Sequence, residues 1–166
     1  TIIPFPLIDN VKETEFNMNF FLICFIVLID QISKILIHAK INLYESIQII
    51  PHLLDFTYIR NEGIAFGINF AGSKVIFIVF PILITFYLFS LLKDKEFDKP
   101  FYQISLLLII GGAIGNIIDR IFRGYVIDFI DFHINNVHWY VFNLADSSVT
   151  IGLLFLLYSS IIIQRQ

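Results

Sequence analysis

Four stretches of the chain are apolar for the length a helix needs to cross a bilayer, about 20 residues. They run over residues 20–37, 73–92, 101–118 and 143–163. Pro81 falls inside the second, where a membrane helix is expected to kink and continue. The connections are unequal. Residues 38–72 and 119–142 form long loops, whereas only a short polar turn, KDKEFDKP, joins the second and third spans. Within the first loop, SIQII and LLDFTYI are rich in β-branched and aromatic residues and read as strands. Asn61-Glu62-Gly63 marks a turn, and IAFGINF after it reads as a short interfacial helix. The lead-in, residues 1–17, has neither the basic start nor the small-residue cleavage site of a secretory signal peptide. It reads as a polar or interfacial segment, partly disordered.

Composition strengthens the membrane reading. Apolar residues make up 57% of the 166 and charged residues 15%, against about 25% charged in a soluble domain. Mean hydropathy is +0.81. The net charge of −3 gives no reason to expect a nucleic-acid partner, and the single cysteine, Cys24, excludes an intramolecular disulfide. The whole chain, residues 1–166, reads as one integral membrane domain.

Alternating spans place both long loops on one side, and the short turn and both termini on the other. Lys and Arg gather on the cytoplasmic side, yet the count is tied. Lys12, Lys93, Lys95, Lys99 and Arg165 lie on the short-turn side; Lys40, Arg60, Lys74, Arg120 and Arg123 lie on the other. The lysines concentrated in the short turn tip the reading toward cytoplasmic termini.

Ionisable residues in apolar spans are costly and often mark function. Asp30 and Lys34 sit four apart, on one helix face, where they can pair. Asn116, Asp119 and Arg120 close the third span, and Asn143 and Asp146 open the fourth. Asp128 lies in the loop between them. These groups converge at one membrane–water boundary, and that convergence suggests a site. Each also has a plainer reading. Asp30–Lys34 serves as an internal ion pair. Asp119 pairs with Arg120, and Arg120 and Arg123 anchor a helix end. Asp131 is a solvated loop acid, and Asp146 is an N-cap for the fourth span. His133 and His138 read as loop or interface residues, and no histidine pair has the spacing of a zinc helix. No metal site is expected. Gly111, Gly112 and Gly115 read as a surface for close helix packing.

Five short boxes then carry a resemblance. Asp30-Gln-Ile-Ser-Lys34, Asn61-Glu-Gly-Ile-Ala-Phe66, Gly115-Asn-Ile-Ile-Asp-Arg120, Val126-Ile-Asp128-Phe and Phe142-Asn-Leu-Ala-Asp146-Ser resemble, in order, the boxes of the lipoprotein signal peptidases (signal peptidase II). The resemblance implies an all-α membrane protein. Its four transmembrane helices would carry a small extracytoplasmic β-sheet and a short interfacial helix. It implies a bacterial inner-membrane aspartyl endopeptidase with both termini cytoplasmic and the active site facing outward. The substrate would be a diacylglyceryl-modified prolipoprotein, cut just before the lipidated cysteine. Membrane phospholipid and globomycin-type peptide inhibitors are the further partners, and no cofactor is expected. Carried over by motif, Asp128 and Asp146 are the catalytic pair. Asn61, Gly63, Asn116, Arg120 and Asn143 bind substrate or support the pair, and Asp30 and Lys34 brace it. Departures from the family pattern are the longer lead-in and Ile64, where small residues are common.

Two other classes predict different patterns. A transporter or channel subunit predicts polar residues spread through the depth of several spans, but the second span is almost featureless. A lipid-modifying transferase predicts a His or Cys centre or a dense basic headgroup site, and the sequence has neither.

Overall fold

The computed structural model describes residues 5–63, 73–94, 99–135 and 137–163. The expected interfacial helix at residues 64–70 and much of the short polar turn lie outside them. The elements are α1 (Phe5–Lys40), β1 (Ser46–Ile50), β2 (Leu54–Asn61), α2 (Ser73–Leu91), α3 (Pro100–Phe122), β3 (Val126–Ile134), β4 (Val137–His138) and α4 (Leu144–Ile163).

Three helical segments among the described residues are long and apolar enough to cross a membrane: Met18–Lys40, Pro100–Phe122 and Leu144–Ile161. The four-span expectation is met in these three. The fourth candidate, α2, is a helix of 19 residues whose apolar part, Val75–Leu91, is shorter. Pro81 lies within it without ending it. The lead-in is corrected. From Phe5 onward it belongs to the 36-residue α1, because nothing between Phe5 and Lys40 other than Pro6, in the first turn, interrupts a helix.

α3 is the central helix and packs on α1, α2 and α4. Leu106 and Ile110 are fully buried there, while α1 and α4 keep many apolar side chains exposed, such as Phe21, Phe25 and Leu154. Outward-facing apolar surface of this kind suits lipid. The close approach of α1 and α4 to α3 is made by glycine, as the sequence suggested. A Cβ on Gly111 would meet Ile26 at 3.0 Å, and one on Gly115 would stand 2.6 Å from Asp30 Oδ2. A Cβ on Gly112 would collide with the Ala145 carbonyl.

α3 begins with Pro100 in its first turn, where the missing N–H costs nothing, and ends where the Arg123 N–H bonds the Asp119 carbonyl at 2.8 Å. Gly124 follows at φ +78°, a backbone state natural to glycine. The second loop therefore starts later than expected: Asp119 and Arg120 belong to α3.

The sheet is antiparallel in the order β1-β2-β3-β4. The first two strands were legible in the sequence. β3 was not, and it carries Asp128 out of the expected loop and into the sheet, opposite Ile59. A core of Ile37, Ile41, Tyr58, Ile127 and Phe129 locks the end of α1 against the sheet.

Candidate active site

The site lies where the C-terminal ends of α1 and α3, the N-terminal end of α4 and the strands β2 and β3 meet. α4 starts with reciprocal capping. Asn143 Oδ1 accepts the Asp146 N–H at 2.9 Å, and Asp146 Oδ2 accepts the Asn143 N–H at 3.2 Å. This is the capping-box arrangement, with a carboxylate in the third helical position. Asn143 is thus the N-cap, which corrects the assignment of that role to Asp146. A second orphan donor of the first turn, the Ala145 N–H, is taken by Asp30 Oδ1 from α1 at 3.0 Å.

The same residues orient two carboxylates. With its oxygen committed to the helix, Asn143 turns Nδ2 toward Asp128 and donates to Oδ1 at 2.6 Å. Asn61 Nδ2 donates to Asp128 Oδ2 at 2.9 Å. Asn61 is itself held by the Gly63 N–H, 2.9 Å from its Oδ1. Gly63 has φ +80° and lies against Phe77 of α2, leaving no room for a side chain. Asp146 Oδ1 receives Asn116 Nδ2 at 2.7 Å. The Asn116 amide is oriented from below. Lys34 Nζ, which can only donate, sits 3.0 Å from Asn116 Oδ1 and so fixes the nitrogen toward Asp146.

Asp128 is 3% exposed. Burial, and then the charge of Asp146, push its carboxyl up to about 6, against the opposing pull of the Asn61 and Asn143 hydrogen bonds. Asp128 and Asp146 are therefore brought together within electrostatic reach and share Asn143 as a common neighbour.

Beneath them lies a charged cluster. Lys34 contacts Asp30 at 2.8 Å and Asp119 at 3.0 Å, and all three side chains are almost fully buried. Arg123 pairs with Asp119, and Gln31 links Asp30, Asp119 and the Gly115 carbonyl. Asp119 also accepts the Ile127 N–H at 3.2 Å, which fastens β3 one residue before Asp128. Two acids and two cations make up this cluster, and the Lys34 charge also reaches Asp128, where it opposes the upward push of burial. Asp30, Lys34 and Asn143 have no exposed surface.

Several sequence expectations change here. Asp119 pairs with Lys34 and Arg123, not with Arg120, because Arg123 is one helical turn further along the same face. Arg120 has no ion pair among the described residues. Its Nη1 reaches the Asn116 carbonyl at 3.5 Å, its Nε is buried without a partner among the described residues, and its charge faces Asp146 and Asp128. It lines a cleft with Glu62, Phe77, Ile78 and Gly124. Asp131 is 5% exposed and bonded to Thr57 and His138, not solvated. Gln31, Asp119 and Arg123 were missed as supports. Gln31 lies in an apolar span beside Asp30, which was the available signal.

Among the described residues no group of His, Cys, Asp or Glu is arranged to hold a metal ion. The polar groups that converge are two carboxylates with amide donors and one cation beside them. That set can activate water and polarise a carbonyl.

Comparison with known proteins gives the family of the chain. The family model described as signal peptidase (SPase) II matches residues 22–162. A lipoprotein signal peptidase of Halothermothrix orenii is 44% identical over 136 residues, 81% of this chain and 89% of the relative. One from Haemophilus ducreyi is 41% identical over 130 residues, 76% of this chain and 80% of the relative. One from Staphylococcus aureus is 36% identical over 146 residues, 88% of this chain and 89% of the relative. A solved bacterial membrane enzyme superposes with a TM-score of 0.80 at 34% identity, covering 86% of this chain and 92% of that one. The chain belongs to the signal peptidase II family and is a peptidase.

Proposed function

We propose that this peptidase removes the signal peptide from diacylglyceryl-modified prolipoproteins, cutting just before the lipidated cysteine, with Asp128 and Asp146 as the catalytic pair. The observation that carries the reading is the convergence of those two carboxylates on Asn143 at one end of the helices, with amide donors on their outer oxygens.

Two carboxylates in one site do not both ionise easily and hold a proton between them. Asp128, whose carboxyl is pushed up to about 6, is the one that holds that proton, up to about that pH. Asp146 is the base that takes a proton from water as the water attacks the scissile carbonyl. Asp128 donates to the carbonyl oxygen, and a proton then passes to the leaving amine. Arg120 balances the single charge of the pair and faces the incoming peptide. Asn61, Gly63, Asn116 and Asn143 hold the two acids, and Asp30 and Lys34 hold the amides.

The membrane placement follows the same logic. At about 1.5 Å per residue, the 19 residues of α2 reach nearly the thickness of a hydrocarbon core of about 30 Å. We therefore take α2 as a fourth span. The sheet and both acids then lie on one face, the extracytoplasmic face of a bacterial inner membrane, with both termini cytoplasmic. Exposed Trp139 and Tyr140, just before α4, suit the headgroup layer and make phospholipid a standing partner. The acyl chains of the substrate remain in lipid while water reaches the acids. Globomycin-type peptides would occupy the same cleft.

The test is incubation with a diacylglyceryl-modified prolipoprotein and with its unlipidated form, read by gel shift. Cleavage of the lipidated form alone is expected, and no cleavage by Asp128→Asn or Asp146→Asn. Parent-rate processing by either variant would overturn the dyad.

A further inference from the structure

The end of the sheet away from the two acids holds a second polar group that catalysis does not use. Asp55 of β2 lies directly opposite Asp131 of β3 in the strand register. Like charges in that position destabilise a strand pair. His133 of β3 and His138 of β4 lie beside them, their rings stacked 4.7 Å apart at 22°. β1 contributes no charge here. Its Ser46 hydroxyl meets Thr57, which donates to Asp131 Oδ2 at 2.9 Å. Asp131 Oδ1 faces His138 Nδ1 at 2.9 Å.

His133 is the telling residue. It is 7% exposed. Its Nδ1 is 2.9 Å from the Asn135 carbonyl oxygen, which can only accept, so Nδ1 carries a proton. Its Nε2 is 3.3 Å from Asp55 Oδ1. Both of these atoms are buried, and neither finds a hydrogen-bond partner among the described residues. With a neutral imidazole, a lone pair on Nε2 would face the Asp55 carboxylate oxygen, both atoms being buried. One added proton turns that opposition into a charge-assisted pair and offsets the repulsion between Asp55 and Asp131.

We infer that Asp55, Asp131, His133 and His138 form a proton-binding clasp that holds β2, β3 and β4 in register and thereby regulates the active site. The inference rests on the reading of Asp128 and Asp146 given above. β2 carries both Asp55 and Asn61, and β3 carries both Asp128 and His133, so each strand joins the clasp to a site residue. The segment after β4 returns to β3, where the Phe142 carbonyl takes the N–H groups of Phe129 and Ile130 at 2.9 and 2.7 Å. Asn143 is the next residue. Opening the clasp therefore loosens the approach of both Asn61 and Asn143 to Asp128.

The direction of the pH effect follows. The Asn135 carbonyl first, and then Asp55 and Asp131, hold the His133 imidazole above its ordinary value of 6.5. A histidine shifted upward contributes stability that is complete below its unfolded value. That contribution is lost as pH rises through the folded one. The clasp is closed in mild acid and releases on the alkaline side.

The full chain in detergent micelles, with labelled histidine, tests this by NMR and hydrogen exchange. His133 is expected to titrate above 6.5, its signal being assigned by loss in His133→Gln. In Asp55→Asn the amide can donate to a neutral imidazole, so the titration should fall below that of the parent. Exchange protection of the β2 and β3 amides, corrected for intrinsic rates, should fall at least threefold through the parent titration and stay level in Asp55→Asn. His133→Gln should give the same level profile. A parent His133 titrating at or below 6.5, a titration unmoved by Asp55→Asn, or equal alkaline loss of protection in both variants and the parent would overturn the clasp. Failure of the catalytic reading would appear separately, as cleavage by Asp128→Asn with the His133 titration intact.

Discussion

Asn143 and Asp146 cap the same turn of α4 reciprocally, the amide oxygen on one backbone N–H and the carboxylate oxygen on the other. The helix start and one carboxylate of the proposed dyad are thus a single structure. Asn143→Ala should lose the cap, about 1 kcal/mol, and also free the Asp128 contact at 2.6 Å. Cleavage should fall by well over tenfold while the thermal midpoint moves by only a few degrees. A large loss of midpoint with proportionate loss of rate would make Asn143 merely structural.

The pH dependence of cleavage should show an alkaline limb near 6, where Asp128 gives up its proton. The raised carboxyl has a matching stability sign: its contribution is present at low pH and declines as pH rises from the ordinary carboxylate range through about 6. Asn61→Ala removes a hydrogen bond that favours the ionised form. Its alkaline limb should therefore move to higher pH as the rate drops. A limb that moves down, or stays, contradicts the assignment of the proton to Asp128.

Lys34 is fully buried between Asp30 and Asp119. Lys34→Met leaves two buried acids short of a cation, which should cost roughly 3–5 kcal/mol. Adding Asp30→Asn, which keeps an oxygen for the Ala145 N–H, should recover part of it. Thermal unfolding in one detergent, compared across the three proteins, checks both steps. A single variant as stable as the parent would remove Lys34 from the framework.

Gly115→Ala separates general helix propensity from local fit. In an ordinary helix the change stabilises by about 0.5–1 kcal/mol. Here the new methyl would stand 2.6 Å from Asp30 Oδ2. A loss of about 1–3 kcal/mol is expected, with weaker cleavage as Asp30 leaves the Ala145 N–H. Measured stabilisation would show that α1 and α3 have slack at this point.

What the sequence made legible was set by period and position. Long apolar runs announced the helices, and polar residues breaking those runs announced Asp30, Lys34, Asn116, Asn143 and Asp146. Less visible were partners chosen in three dimensions. Asp119 has an arginine next to it in sequence, yet the helix turns that neighbour toward the acids and brings Arg123 back onto its face. β3 was hidden because VIDFIDFHI is buried at Val126, Ile127, Asp128 and Phe129 in succession, so it lacks the alternation that marks a strand with one wet face. Asp131 looked solvated because nothing local reveals that Thr57 and His138 enclose it. The lead-in lacked apolar periodicity, and it is helical as the continuation of a span already nucleated downstream.

The bond from Asp30 to the Ala145 N–H has a consequence for biogenesis. It joins the first membrane helix to the last, across 115 positions of chain. During synthesis the early segment therefore carries a carboxylate oxygen whose backbone donor arrives only with α4. A nascent protein that stops short of α4 keeps that mismatch inside the bilayer.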